Sequence, residues 1–139
     1  MKKFQTILVF SAMIAAAVLA TESVRATTDA AQVPKVIVVK YHADWCASCK
    51  ELDEQLPDLR KALNGEPVLF LKLDLTDADT SRQAEMLMTT LGLREDWKNM
   101  GGGTGLVNVI DTKSKKRVAQ LDVTQSAEEM TEIIREFIQ

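Results

Sequence analysis

Two cysteines three residues apart, set where an apolar β-branched run gives way to helical spacing, constrain this chain more than any other feature. Cys46 and Cys49 are its only cysteines, within Trp45-Cys46-Ala47-Ser48-Cys49-Lys50. Before them, Val36-Ile37-Val38-Val39 has the composition of a buried strand. After them, the apolar residues Leu52, Leu56, Leu59 and Leu63 recur at the spacing of one helix face. Cys46 is therefore expected at a helix N-terminus, where unpaired N–H groups and the helix dipole favour an anion. A thiolate in that position has a lowered pKa and is the reactive form. The turn brings Cys49 within reach of Cys46, so the pair can close a small disulfide and reopen it. The bland alternative is a structural bridge. It has little to recommend it, because so short a loop removes little entropy from the unfolded chain.

The length of 139 residues suits one domain, and the first stretch reads as separate from it. Lys2 and Lys3 precede a nearly unbroken apolar run over residues 4–20, and small residues follow at Ala20 and Ala26. This is the layout of a secretory signal peptide over residues 1–26, cleaved after Ala20 or Ala26, with the folded domain over residues 27–139. An uncleaved membrane anchor is the competing reading, but the apolar core over residues 7–20 falls short of the ~20 residues a span needs. No cysteine adjoins either cleavage site, which excludes a lipid-modified N-terminal cysteine. The expected location is therefore periplasmic or secreted. A formal net charge of −3 gives no support for nucleic-acid binding. The one basic cluster, Lys113, Lys115, Lys116 and Arg117, falls between two strand-like runs and reads as a solvated hairpin turn.

Periodicity predicts strands over residues 35–42, 68–74, 106–110 and 117–121, and helices over residues 46–63, 80–91 and 126–138. Pro57 is expected to kink or split the first helix, and Asn64-Gly65 to end it. Thr80-Ser81-Arg82-Gln83 and Ser126-Ala127-Glu128-Glu129 both match the capping box. The second helix carries Ala84, Leu87, Met88 and Leu91 on its apolar face. The last carries Met130, Ile133, Ile134, Phe137 and Ile138. Trp97 and Met100 lie in a long stretch without an assigned element, where they serve either as core or as a partner-binding patch. The order β-α-β-α-β-β-α implies one mixed sheet covered by helices on both faces.

That order, with Cys-x-x-Cys at the first strand–helix junction, resembles the α/β thioredoxin-like fold: a central mixed sheet flanked by helices, with the cysteines at the N-terminus of the first core helix. The run Tyr41-His42-Ala43-Asp44-Trp45-Cys46-Ala47-Ser48-Cys49-Lys50-Glu51 is most similar to the C-terminal periplasmic domain of DsbD-type disulfide reductases, and a weaker similarity continues through Leu73-Asp74-Leu75-Thr76-Asp77. Two departures stand out. The family's cis-proline before the third central strand has no counterpart, since no proline follows Pro67. Thr104 falls in register there, with Gly103 in the proline's place. Lys40 stands where thioredoxin-like proteins often bury an acid, and if it faces the dithiol its charge favours the Cys46 thiolate.

The resemblance implies a secreted or periplasmic thiol–disulfide oxidoreductase, a reductase or electron carrier rather than an oxidase. Cys46 is its nucleophile and Cys49 its resolving thiol. Trp45 shields the pair and contributes to docking. Asp53, one helical turn beyond Cys49, matches an acid of the DsbD-like domains that tunes the thiols, or is simply a solvated helix charge. No cofactor is expected. The partners are protein thiols and disulfides, with a membrane-bound or soluble thiol reductase as electron donor. The alternative is a binding module that has lost turnover, or a metallochaperone holding Cu(I) or Zn with His42, Cys46 and Cys49.

Overall fold

The computed structural model describes residues 33–139, so the signal peptide expected over residues 1–26 lies outside the described residues. The elements run β1 (Val36–His42), α1 (Ala47–Ala62), β2 (Val68–Asp74), α2 (Ala78–Thr90), α3 (Arg94–Met100), β3 (Leu106–Asp111), β4 (Arg117–Leu121) and α4 (Ala127–Glu136). The sheet order is β2-β1-β3-β4. β1 pairs parallel with β2 and antiparallel with β3, and β3 pairs antiparallel with β4. The sheet is thus mixed, as the alternation of elements implies.

β1 is buried along its whole length because both its faces are covered. Val36 and Val38 turn to one side and pack with Leu52, Leu56 and Leu59 of α1 and Met130 and Ile134 of α4. Ile37, Val39 and Tyr41 turn to the other and pack with Ala84 and Met88 of α2 and Met100 of α3. The same alternation places Lys40 on the α1 side, where an apolar residue would be the ordinary occupant.

Three local expectations are corrected. Pro57 lies inside α1 without splitting it: the helix runs on from Ala47 to Ala62. The backbone bond that proline removes is offset by burial of Leu52, Leu56 and Leu59 on the face that meets the sheet. The second helix starts one turn early: Asp77 is its N-cap, accepting the Asp79 and Thr80 amides at 2.8 Å each, and Thr80 is the third residue of that box rather than its cap. Of that helix's expected apolar face, Ala84 and Met88 are buried, whereas Leu87 is exposed.

The third correction is α3, a seven-residue helix in the stretch without an assigned element. It makes Trp97 and Met100 core residues: Met100 is buried and Trp97 packs beside it. A buried polar network anchors the helix. Asp96 accepts the Tyr41 hydroxyl at 2.6 Å and the Asn108 amide at 2.9 Å, and Arg117 Nε lies 3.5 Å from its other oxygen. Burial, and then the Asp96 carboxylate, push the Tyr41 phenol well above its ordinary pKa.

Candidate active site

Cys46 is the N-cap of α1, in extended backbone conformation, and its Sγ accepts the Cys49 amide at 3.1 Å. The sulfur occupies the place of a capping oxygen, so the helix end offers an N–H to whatever charge the sulfur carries. Cys46 and Cys49 are joined by a disulfide, with their Cα atoms 5.3 Å apart. Both cysteines are buried, Cys49 completely. Cys49 Sγ lies 3.6 Å from the Tyr41 carbonyl oxygen, which can accept its thiol proton once the bond is reduced. The arrangement is asymmetric: one sulfur sits at the helix end, the other inside the molecule.

Trp45 is 66% exposed beside the disulfide. Its indole N–H donates to the Thr76 carbonyl at 3.2 Å, and the Thr76 hydroxyl accepts the Asp44 amide at 3.0 Å. Asp74 holds Thr76 in turn by accepting its amide at 2.9 Å and its hydroxyl at 2.5 Å. These bonds hold the Asp74 carboxyl below the usual carboxylate range, the Thr76 hydroxyl contributing most. A ring held in place yet left in water suits contact with another molecule better than core packing.

Lys40 is 2% exposed and reaches toward α1. Its ammonium donates to the Cys49 carbonyl at 2.9 Å and lies 2.5 Å from Asp53 Oδ1. The second Asp53 oxygen lies 3.4 Å from His42 Nδ1 and 3.8 Å from Lys72 Nζ. Burial lowers the Lys40 pKa, and Asp53 draws it partly back. Asp53 has the opposite balance. Its burial acts to raise the carboxyl, but Lys40, Lys72 and His42 together hold it below its ordinary value. Asp53 is therefore an ion-pair partner and not a free helix charge.

The metal alternative is not assembled. His42 turns its ring to Asp44, with Nε2 3.2 Å from Oδ1, and to Asp53. Among the described residues no group of three or more His, Cys, Asp or Glu side chains could hold a metal ion.

The glycine loop before β3 lies close to the disulfide, but the residue facing Cys46 is Gly105. A Cβ placed there would lie 2.8 Å from Ser48 Cβ and 3.4 Å from Cys46 Sγ, and its φ is +75°. Gly103 instead abuts the Met100 carbonyl and the Leu106 side chain. Thr104, half-buried, lies between them. The register of β1 with β3 carries the signal for Gly105: Tyr41 pairs with Leu106, so the preceding residue must pass the Cys-x-x-Cys turn. The Gly105 amide donates to the Tyr41 carbonyl at 3.0 Å, which fixes that passage. Thr76, the anchor of Trp45, was likewise not a candidate from the sequence.

Comparison with known proteins agrees with this geometry. The thioredoxin family model matches residues 18–93. A thiol:disulfide interchange protein DsbD from Colwellia psychrerythraea is 36% identical over 64 residues, covering 42% of this chain and 10% of the relative. A second, DsbD 2 from Pseudomonas aeruginosa, is 41% identical over 54 residues, covering 37% of this chain and 9% of the relative. The chain thus spans about a tenth of the length of these curated relatives. The oxidised thioredoxin from Plasmodium falciparum shares the fold with a TM-score of 0.50 at 15% identity, over 78% of this chain and 86% of that one. The chain belongs to the thioredoxin family, and carries the Cys46–Cys49 disulfide at the head of its first helix.

Proposed function

We propose that the domain is an exported disulfide reductase or electron carrier that works by dithiol–disulfide exchange, with Cys46 as nucleophile and Cys49 as resolving thiol. The observation that carries this is the asymmetry of the pair: Cys46 Sγ receives an N–H at the helix end, while Cys49 is completely buried behind it. In the reduced protein the Cys46 thiolate attacks one sulfur of a partner disulfide. A Cys46–partner bond forms, the partner S–S bond breaks, and the leaving thiolate takes up a proton. Cys49 then gives up its proton, and its thiolate attacks Cys46 Sγ. The Cys46–Cys49 disulfide closes and the second partner thiol departs. Two electrons pass to the partner, and a dithiol donor must return them before the next cycle.

Supporting the reducing direction are the DsbD relatives, and the small, uncharged Ala47 and Ser48 between the cysteines carry no charge that would force the pair toward the oxidising end. The apolar, lysine-led start of the chain supports export to the periplasm or beyond. Trp45 serves as the docking residue for protein disulfides. Insulin reduction by the dithiol-charged protein tests the reading: wild type turns over and Cys46→Ala does not, whereas equal rates would refute it.

A further inference from the structure

We propose that the outer edge of β2 is a self-association surface, at which two copies of this chain pair their β2 strands antiparallel, centred on Leu71, and join their sheets into one. The inference uses neither cysteine, so it stands or falls apart from the exchange reading.

β2 ends the sheet: it pairs with β1 on one side, and among the described residues no strand covers the other. The Leu75 amide donates to the His42 carbonyl. Strand alternation then points the backbone groups of Leu69, Leu71 and Leu73 at β1, and those of Phe70, Lys72 and Asp74 away from it. A bare edge of this kind is a template for another strand. It is also apolar, running Val68-Leu69-Phe70-Leu71 before its first charge, and Leu69 is 38% exposed. The helices leave the edge open on both faces. A cavity of about 300 Å³ lies beside Pro57 and Phe70 on the α1 side, and one of about 310 Å³ beside Leu73 and Leu87 on the α2 side.

The strand's own sequence selects a second copy as the occupant and fixes the register. Outward-pointing residues must meet outward-pointing residues, so the twofold axis passes through a residue and not between two. An axis at Lys72 sets the two ammonium groups opposite each other. One at Phe70 sets Asp74 against Glu66, and one at Leu73 leaves Val68 and Leu69 beyond the end of the opposing strand. The axis at Leu71 pairs the strand along its whole length. There the Phe70, Lys72 and Asp74 amides meet the Lys72, Phe70 and Val68 carbonyls of the second copy. Leu69 faces Leu73 and Leu71 faces its twin, an apolar ladder bordered by the exposed Leu87. On the α1 face, Arg60 lies over the Phe70 ring, 4.8 Å from its centroid. Asp74 of the second copy is the diagonal neighbour of that Phe70, within reach of a long side chain. An exposed cation of each copy thereby meets an exposed carboxylate of the other. Lys72 keeps Asp53 at 3.8 Å, which offsets the approach of the two Lys72 side chains. Because the paired strands run in opposite directions, the two disulfides, each just past the end of its own β1, lie toward opposite ends of the joined sheet.

The test is sedimentation velocity over a concentration series, on the full chain expressed with its N-terminal segment and purified as the host processes it. Wild type forms a dimer that dissociates on dilution. Leu69→Lys places a charge on the exposed part of the edge, and Lys72→Pro removes an outward N–H from each copy without touching a bond to β1. Each weakens association about tenfold or more, while the circular dichroism stays that of wild type. In a Cys46→Ala, Cys49→Ala background, Leu71→Cys links to its twin on oxidation, because non-hydrogen-bonded partners stand ~4.5 Å apart at Cα, within disulfide range. Leu69→Cys, whose counterpart is Leu73, does not. A wild type monomeric at about 100 μM, a dimer indifferent to both edge substitutions, or linkage through position 69 rather than 71 overturns the inference. So does a monomer whose Phe70 and Lys72 amides resist hydrogen exchange, since the chain's own N-terminal segment then covers the edge. Should Lys72→Pro fail to fold, Leu69→Lys and the two cysteine variants decide.

Discussion

Replacing Gly105 by alanine tests the packing of the loop against the dithiol. Gly105 has φ +75°, where an L-residue with a Cβ is disfavoured by about 1–2 kcal/mol. The new methyl also lands 2.8 Å from Ser48 Cβ, well inside contact distance, with Cys46 Sγ at 3.4 Å behind it. Neither neighbour is the free end of a flexible side chain. Ser48 lies in the first turn of α1 and Cys46 is held by the disulfide, so the overlap must be relieved by backbone movement. Overpacking of that kind costs about 1–3 kcal/mol. The two contributions together predict a loss of about 2–5 kcal/mol for the oxidised protein. Urea unfolding of oxidised wild type and Gly105→Ala measures it, with the slope checked to confirm that the transition stays comparable. A Ser48→Gly background removes the Cβ–Cβ clash, so there the same substitution costs only the backbone portion of about 1–2 kcal/mol. A loss below about 1 kcal/mol in the serine background, or one unchanged by Ser48→Gly, would refute the claim that Gly105 is required by close approach.

Asp96→Ala strips the Tyr41 hydroxyl and the Asn108 amide of their buried acceptor and is expected to lower stability by about 2–6 kcal/mol in urea unfolding, each orphaned group contributing about 1–3. Tyr41 is the only tyrosine, so tyrosinate absorbance reports on it alone. Its raised folded-state pKa contributes stability that is whole below the ordinary phenol value and is lost as pH rises beyond it. Ionisation should therefore coincide with alkaline unfolding rather than precede it at about 10. In acid the sign reverses. The Thr76 hydroxyl holds Asp74 low and the Thr124 hydroxyl holds Asp122 low, so both carboxylates contribute stability present above about 4 and lost as pH falls below it. Asp74→Asn with Asp122→Asn should flatten the fall of the urea midpoint in acid. Trp45→Ala, on an exposed ring, should change stability by less than about 1 kcal/mol. It should slow reduction of insulin more than reduction of a small disulfide.

The elements legible in the sequence are those in which local pattern and tertiary burial agree. Val36–His42 and the Leu52, Leu56, Leu59 stripe of α1 are such cases, and so is Ser126 with Glu129 at the start of α4, where both halves of the capping box form. α3 escaped because it is short and its N-cap, Leu93, makes no side-chain capping bond. What holds it is Asp96, whose partners Tyr41 and Asn108 belong to strands distant in sequence. The split at Pro57 fails for the converse reason, a local penalty overridden by burial of the face opposite. At the site, the cysteines and the position of Lys40 on a strand were readable, but Lys40's partners were not, since strand alternation fixes a side and not a bond. The glycine loop has the same limit. The resemblance placed it near the cysteines, and only the pairing of Tyr41 with Leu106 singles out Gly105 from Gly103.

The central claim is that Cys46 attacks and Cys49 resolves, and trapping tests it most directly. Reduced Cys49→Ala and Cys46→Ala proteins are each mixed with a disulfide-bonded peptide, quenched with acid, and mapped by mass spectrometry. The account predicts a persistent mixed disulfide on Cys46 in the Cys49→Ala protein and little or none on Cys49 in the other, because Cys49 is wholly buried and it is Cys46 Sγ that receives the helix-end N–H. Equal trapping at both cysteines, or trapping at Cys49 alone, would contradict it.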